Sequence, residues 1–343
     1  MGRQAMIAGD ETTERKQPIV GIDDLVSAQD AVRAALASAM EQARDYAKES
    51  KATNTRRAYR SDWADFAAWC AAHALAALPA APETVALYLA AQAADRKPST
   101  LARRLTAIAQ AHKTAGYESP TTHPSVRQVV AGIRRAKGTA QEGKAAAVTR
   151  EVRAMCEALP SVPALRRQRD AALLLVGFAG AFRRSELVAL DVADVAWKTE
   201  GLEVAIRRGK TDQEGQGRKI GIPYGSTPTS CPVRALRAWL DAAGIADGSL
   251  FRGITRHDGL LPDRLSDKGV ARVVKRAAAA AGLDARIYSG HSLRAGLATA
   301  AAQAGISERA IMAQTGHKSI PMVRKYIRDG SLWRENAAAG VGL

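Results

Sequence analysis

Four stretches of the chain carry charged or nucleophilic side chains at spacings that could act together. Arg183 and Glu186 stand three residues apart just after the apolar run 171–182, so one helical turn lets the carboxylate aim the guanidinium. A cation beside a buried wall is costly unless an anion or carboxylate meets it, although a purely structural Arg–Glu pair would use the same spacing. Lys210 leaves a strand pattern and enters a glycine-containing turn, from which a flexible ammonium can reach a phosphate; Lys219 on the returning strand competes for that role. His291 and Arg294 share one face of a helix start, where backbone N–H groups and the dipole also favour an anion. His317 precedes Tyr326 by nine residues, and Arg324, Lys325 and Arg328 flank the tyrosine. A phenol with a pKa of about 10 becomes a nucleophile only when cations lower that pKa or a base takes its proton.

Taken as one constellation, these residues describe a transesterification at a phosphodiester. Tyr326 attacks phosphorus, and Arg183 and Arg294 neutralise the non-bridging oxygens. Lys210 protonates the leaving 5′-oxygen, and His291 and His317 move protons and bond the phosphate. The sequence contains no carboxylate cluster spaced to hold Mg²⁺ and no Gly-x-x-x-x-Gly-Lys-Ser/Thr loop, so neither a metal nor a cofactor is expected. A phosphotyrosyl bond would itself conserve the energy for rejoining.

The elements that must position these groups read as mostly helical. The chain has 343 residues, enough for two domains of ordinary size, and 50 Lys+Arg against 34 Asp+Glu leave a formal charge of +16. That surplus on a chain of globular composition points to a polyanionic partner. The run 171–182 is too short to span a bilayer, and Met1-Gly-Arg-Gln leads into no secretory apolar region. Cys70, Cys156 and Cys231 lie far apart and suit neither a disulfide framework nor a zinc cluster, as expected in a reducing cytosol.

Residues 1–22 lack periodicity and are expected to be disordered. A helical pattern follows over Asp23–Lys48, with Leu25, Val32, Leu36 and Met40 in register, and then four helices beginning at Thr53, Pro82, Pro98 and near His123. Together 23–137 read as a helical DNA-binding domain with basic outer faces, and 138–148 as a linker. In 149–343, Thr149 is read as a helix cap and 171–182 as a buried helix. Leu202-Val204-Ile206 pairs with Ile220-Ile222 in one small hairpin sheet, and further helices cover 232–243, 266–281, 291–304, 307–314 and 320–327.

Gly180-x-x-Arg183-x-Ser185-Glu186-Leu187, Lys210, His291-x-x-Arg294, His317 and Tyr326, in this order and spacing, resemble the tyrosine recombinases, also called the phage integrase family. Tyr288 to Gly296, Ala67 to Cys70 and Lys325 to Arg328 are most similar to the Cre-type members, which carry Trp where this chain has His317. The resemblance spans roughly residues 50–335. It implies a mainly α fold with a small antiparallel β-sheet: a SAM-like helical core-binding domain and a catalytic domain of the DNA breaking-rejoining type, closed as a C-shaped clamp around duplex DNA. It implies cleavage of one strand at a time, a 3′-phosphotyrosine intermediate, exchange through a Holliday junction, and a homotetramer on inverted-repeat sites. It also implies a C-terminal helix over 331–339 that docks into a neighbouring subunit, the alternative being a helix that folds back on its own domain, and no membrane or small-molecule partner. A cytoplasmic protein held at the nucleoid through DNA is expected.

Arg56, Arg57, Arg60, Arg134, Arg135 and Lys137 are expected on phosphates, with Arg103 and Arg104 as further groove candidates. By resemblance, Lys268 occupies the position of a guanine-reading arginine, with a point charge in place of a planar fork. A type IB topoisomerase-like relaxing enzyme would use a related residue set. A non-enzymatic DNA-binding regulator would explain the charge but not Tyr326 or His291-x-x-Arg294.

Overall fold

A computed structural model of the chain describes residues 22–49, 52–140, 143–209, 212 and 215–331, with side chains over 32–47 in the first helix and up to 327 in the last. Lys210, residues 1–21 and nearly all of 331–339 therefore lie outside the described residues. The chain forms two compact units, dividing between Ala140 and Gln141.

The first unit is helical: α1 (Ile22–Glu49), α2 (Thr53–Ala72), α3 (Pro82–Ala93), α4 (Pro98–Thr114) and α5 (Pro124–Lys137). Proline at the first position opens α3, α4 and α5, where its missing N–H is not needed. Phe66, Tyr88, Leu89, Leu101, Ile108 and Val126 form the core, while Val32, Leu36 and Met40 of α1 are exposed. Arg104 overturns a sequence expectation. It is 6% exposed and donates to Tyr88 Oη (2.7 Å), Gln92 Oε1 (2.9 Å) and Asp65 Oδ2 (2.8 Å), so it is a core ion-pair residue and not a groove contact. Arg103 turns its Nε and Nη2 onto Asp62 (2.7 and 3.0 Å), although half of its side chain stays in solvent.

The second unit contains α6 (Thr149–Glu157), α7 (Ala164–Ala179), α8 (Arg184–Ala189), β1 (Val195–Lys198), β2 (Gly201–Ile206), β3 (Arg218–Pro223), α9 (Pro232–Ala243), β4 (Arg252–Ile254), β5 (Leu260–Arg264), α10 (Asp267–Ala280), α11 (Gly290–Gln303), α12 (Glu308–Thr315) and α13 (Ile320–Ser331). The sheet order is β1-β2-β3, antiparallel, with Val204 opposite Val195 and Ile220; β4 and β5 make a separate hairpin. Sequence patterning had pointed to β2 and β3 alone. Strands β1 and β4 are only four and three residues long, and β5 is mostly exposed, so none of them shows clean alternation.

The core of this unit surrounds α7, whose Leu173, Leu174 and Val176 are fully buried. Asp170, at the start of the apolar run, is itself buried and accepts from Arg169 Nε (2.8 Å) and from Arg276. Val148, not Thr149, occupies the N-cap of α6, and it makes no side-chain cap bond. The expected linker is also shorter than 138–148. Ala145 N–H donates to the Ile287 carbonyl and Ala147 N–H to the Ser292 carbonyl (2.9 Å each), and Ala147 is fully buried.

That buried segment lies directly on α11. A Cβ at Gly296 would sit 1.8 Å from the Ala147 carbonyl oxygen. Gly296→Ala is therefore expected to cost about 2 kcal/mol or more, because backbone and not a flexible side chain must give way; a denaturant titration should show a correspondingly lower midpoint.

Candidate active site

Arg183 ends the turn that follows α7 and is the N-cap of α8. Its backbone N–H donates to Glu186 Oε2 (2.9 Å) and its Nη1 to Glu186 Oε1, so the 2%-exposed carboxylate closes the helix start and aims the guanidinium at once. The turn itself holds Ala181 at φ +48°, an uncommon conformation for a residue with a Cβ. This directs the Ala181 carbonyl to accept from Arg294 Nη1 (2.8 Å). Arg294 is 1% exposed and follows His291 by three residues in α11, whose start is capped by Ser289 and Ser292. Among the described residues no carboxylate lies within ion-pairing distance of it. Burial, reinforced by Arg183, pushes its pKa down to about 10.

His317 sits one residue past the turn that ends α12. The Thr315 hydroxyl donates to the Ile311 carbonyl (2.7 Å), so its oxygen accepts from His317 Nδ1–H at 2.7 Å. Nε2 is then the lone-pair nitrogen and accepts from Arg294 Nη2 at 3.1 Å. Burial, followed by the charges of Arg294, Arg183, His291 and Arg218, lowers the imidazole pKa to about 4, so His317 is neutral at pH 7. Tyr326 arrives on α13, which seats Val323 in a small core with Ala298, Ala302 and Ile311 and packs Tyr326 and Ile327 against it. Its hydroxyl lies 3.0 Å from His291 Nε2, and its ring centroid 5.8 Å from that of His317.

Arg183, Glu186, His291, Arg294, His317 and Tyr326 thus gather at one place. Lys210 is outside the described residues, but its neighbour Gly209 lies against Glu186: a Cβ there would be 3.0 Å from Oε1. The base of the β2–β3 hairpin is closed by a Gly209–Asp212 bridge and by Asp212 accepting from Gln216 and Gly217 N–H. Lys219 points to the other side of the sheet and pairs with Glu203 across the strands (3.0 Å). Sequence reasoning missed Arg218, whose alternation with Ile220 and Ile222 marks it as inward-facing, and Thr315, which no spacing singles out.

Of the basic residues read as DNA contacts, Arg57, Arg60, Arg134, Arg135 and Lys268 are exposed and Arg56 is half-buried. Lys137 is exposed too, but its ammonium donates to the Ala93 and Ala94 carbonyls, where it caps the C-terminal end of α3. Among the described residues no helix is long and apolar enough to cross a membrane.

A profile of the phage integrase family matches residues 149–331. An integrase/recombinase xerD homolog of Selenomonas ruminantium is 44% identical over 293 residues, covering 84% of this chain and 86% of that protein. Recombinase cre of Escherichia phage P1 is 26% identical over 286 residues, 77% of this chain and 80% of its own, so the Cre likeness is the more distant one. The structure of XerH site-specific recombinase bound to a palindromic difH substrate, a post-cleavage complex, superposes with a TM-score of 0.58 at 18% identity, over 76% of this chain and 72% of that one, a likeness of fold.

The depressed His317 pKa carries a stability consequence. Between its ordinary value of 6.5 and about 4 the unfolded chain binds a proton that the folded chain refuses, so stability falls as pH drops through that window. NMR of the imidazole should place its midpoint near the lower value, and His317→Gln should flatten that part of the stability profile.

Proposed function

We propose that this chain, which belongs to the phage integrase family of tyrosine recombinases, is a site-specific DNA recombinase that breaks and rejoins duplex DNA through a covalent 3′-phosphotyrosine at Tyr326. The observation that carries this reading is Arg294, a buried cation with no carboxylate partner among the described residues, in a site where the Tyr326 hydroxyl meets a histidine. Such a cation is stabilised by an incoming anion, and a scissile phosphate is an anion that a phenol can attack.

In this mechanism His291 Nε2 accepts the phenolic proton as Tyr326 attacks phosphorus. Arg183, aimed by Glu186, and Arg294, held by the Ala181 carbonyl, stabilise the charge on the non-bridging oxygens. His317 orients Arg294 through its lone pair without adding charge of its own. Lys210, carried on the β2–β3 hairpin, protonates the departing 5′-oxygen, and reversal of the step with a new 5′-hydroxyl rejoins the strand.

The wider reading follows the family: a homotetramer on inverted-repeat sites, one strand exchanged at a time through a Holliday junction, and residues 331–339 docking between subunits. Residues 23–137 serve as the core-binding domain. Arg56, Arg57, Arg60, Arg134 and Arg135 meet phosphates, and Lys268, exposed in the first turn of α10, reads a base edge. The protein would act in the cytoplasm, at the nucleoid.

Duplexes recovered from a random-sequence pool by binding, then nicked near the site to trap the intermediate, test the chemistry. Denaturing gels should show a 3′-linked protein–DNA adduct that Tyr326→Phe abolishes while its DNA affinity is kept; salt-sensitive binding without an adduct would leave only a DNA-binding regulator. Lys210→Ala should slow cleavage on the order of a hundredfold. A 5′-thiol leaving group, which needs no proton, should restore it, and failure of that rescue would remove Lys210 as the acid.

A further inference from the structure

We propose that Arg218 is a positioning residue for this reaction: from β3 it ties the carboxylate that aims Arg183 to the turn that carries His317. The inference rests on the reading of the site as a DNA-cleaving centre. It concerns a residue outside the motif set that identified that centre.

Arg218 faces inward with Ile220 and Ile222 and keeps a quarter of its side chain exposed. Its Nη1 donates to the Gln314 carbonyl at 3.1 Å, near the C-terminus of α12. Its Nη2 is fully buried, has no hydrogen-bond partner among the described residues, and lies 3.6 Å from Glu186 Oε2. That oxygen also accepts from the Arg183 backbone N–H, while Oε1 takes the Arg183 guanidinium, so Arg218 flanks the clamp that fixes Arg183. Its guanidinium also lies against Gly316. This glycine has φ +66°, and a Cβ there would be 2.8 Å from Arg218 Nε and 2.9 Å from Cζ.

One side chain thus touches both ends of the catalytic arrangement. The Thr315–Gly316–His317 turn is fixed by the Thr315 hydroxyl on one side and by Arg218 on another. A largely buried guanidinium here would be hard to tolerate for packing alone: desolvation, reinforced by the neighbouring Arg183 charge, lowers its pKa, and Glu186 opposes them. The arrangement is understandable when the site must hold positive charge in fixed directions before an anion arrives.

The test is a double-mutant cycle on trapped cleavage with Arg218→Met and Glu186→Gln, together with NMR titration of His317 in the DNA-free protein. Arg218→Met should slow cleavage by about tenfold or more with DNA affinity within about twofold, since small misplacements of catalytic groups cost that much. Its effect should be smaller in the Glu186→Gln background than in the wild type, because one of its two contacts acts through the Glu186 clamp on Arg183, and Arg218→Lys should recover part of the rate. The His317 midpoint should rise in Arg218→Met. Cleavage at the wild-type rate, losses that multiply independently, or an unmoved His317 midpoint would overturn the proposal. Should the Met variant not fold, Arg218→Gln, which keeps a donor toward Gln314 but no charge, is read in the same way. A wild-type chain that forms no adduct would refute the proposed reaction, whereas the His317 titration would still decide whether Arg218 is coupled to the turn.

Discussion

A shortage of buried negative charge governs the site. Glu186 is the carboxylate that meets both Arg183 and Arg218, and Arg294 is buried close by without one within ion-pairing distance among the described residues. Desolvation makes each of these cations expensive, and among the described residues no further acid relieves the cost. The chain relieves it with carbonyl oxygens, from Ala181 and Gln314, and with the lone pair of a neutral histidine. Such dipoles orient guanidinium groups without neutralising them, so the site stays positive and ready for an anion. The low pKa of His317 is part of the same logic, since protonating it would add one more cation to an already crowded field.

Holding like charges together requires a rigid frame, and the fold supplies it from distant parts of the sequence. The buried apolar half of α7 leads into the strained Ala181 turn, which sets the Arg294 acceptor and then the Arg183 cap. Helix α11 brings His291 and Arg294, and its Gly296 lets the 145–147 segment pass directly over it. The sheet contributes Arg218 and the base of the Lys210 hairpin. These elements pack mainly through the apolar core around α7, which in this way stabilises the cationic cluster.

Much of this arrangement was legible because chemistry restricts residue type. Two arginines, two histidines and a tyrosine at fixed offsets fit few reactions besides phosphoryl transfer to the phenol, and helix faces followed from period and capping. What was illegible had physical reasons. A basic stretch such as Arg103-Arg104 reads as a solvated face until Asp62 and Asp65, some forty residues earlier, are seen to turn one arginine inward. Lys137 likewise serves a helix end that sequence distance concealed. Arg218 was readable from strand alternation, but a charged residue in a polar hairpin draws attention to the turn and not to the inward face. The short strands β1, β4 and β5 are made by pairing rather than by local pattern.

The nucleophile is mounted differently from the cations. Arg183 and Arg294 are held by elements that belong to or pack on the large core around α7, whereas α13 packs its Val323 against Ala298, Ala302 and Ile311 in a separate small cluster. These side chains are small or β-branched, so displacing α13 exposes far less apolar surface than opening the main core. Local opening free energy follows buried contact, so the helix that carries Tyr326 is anchored by less apolar burial than the helices of the main core.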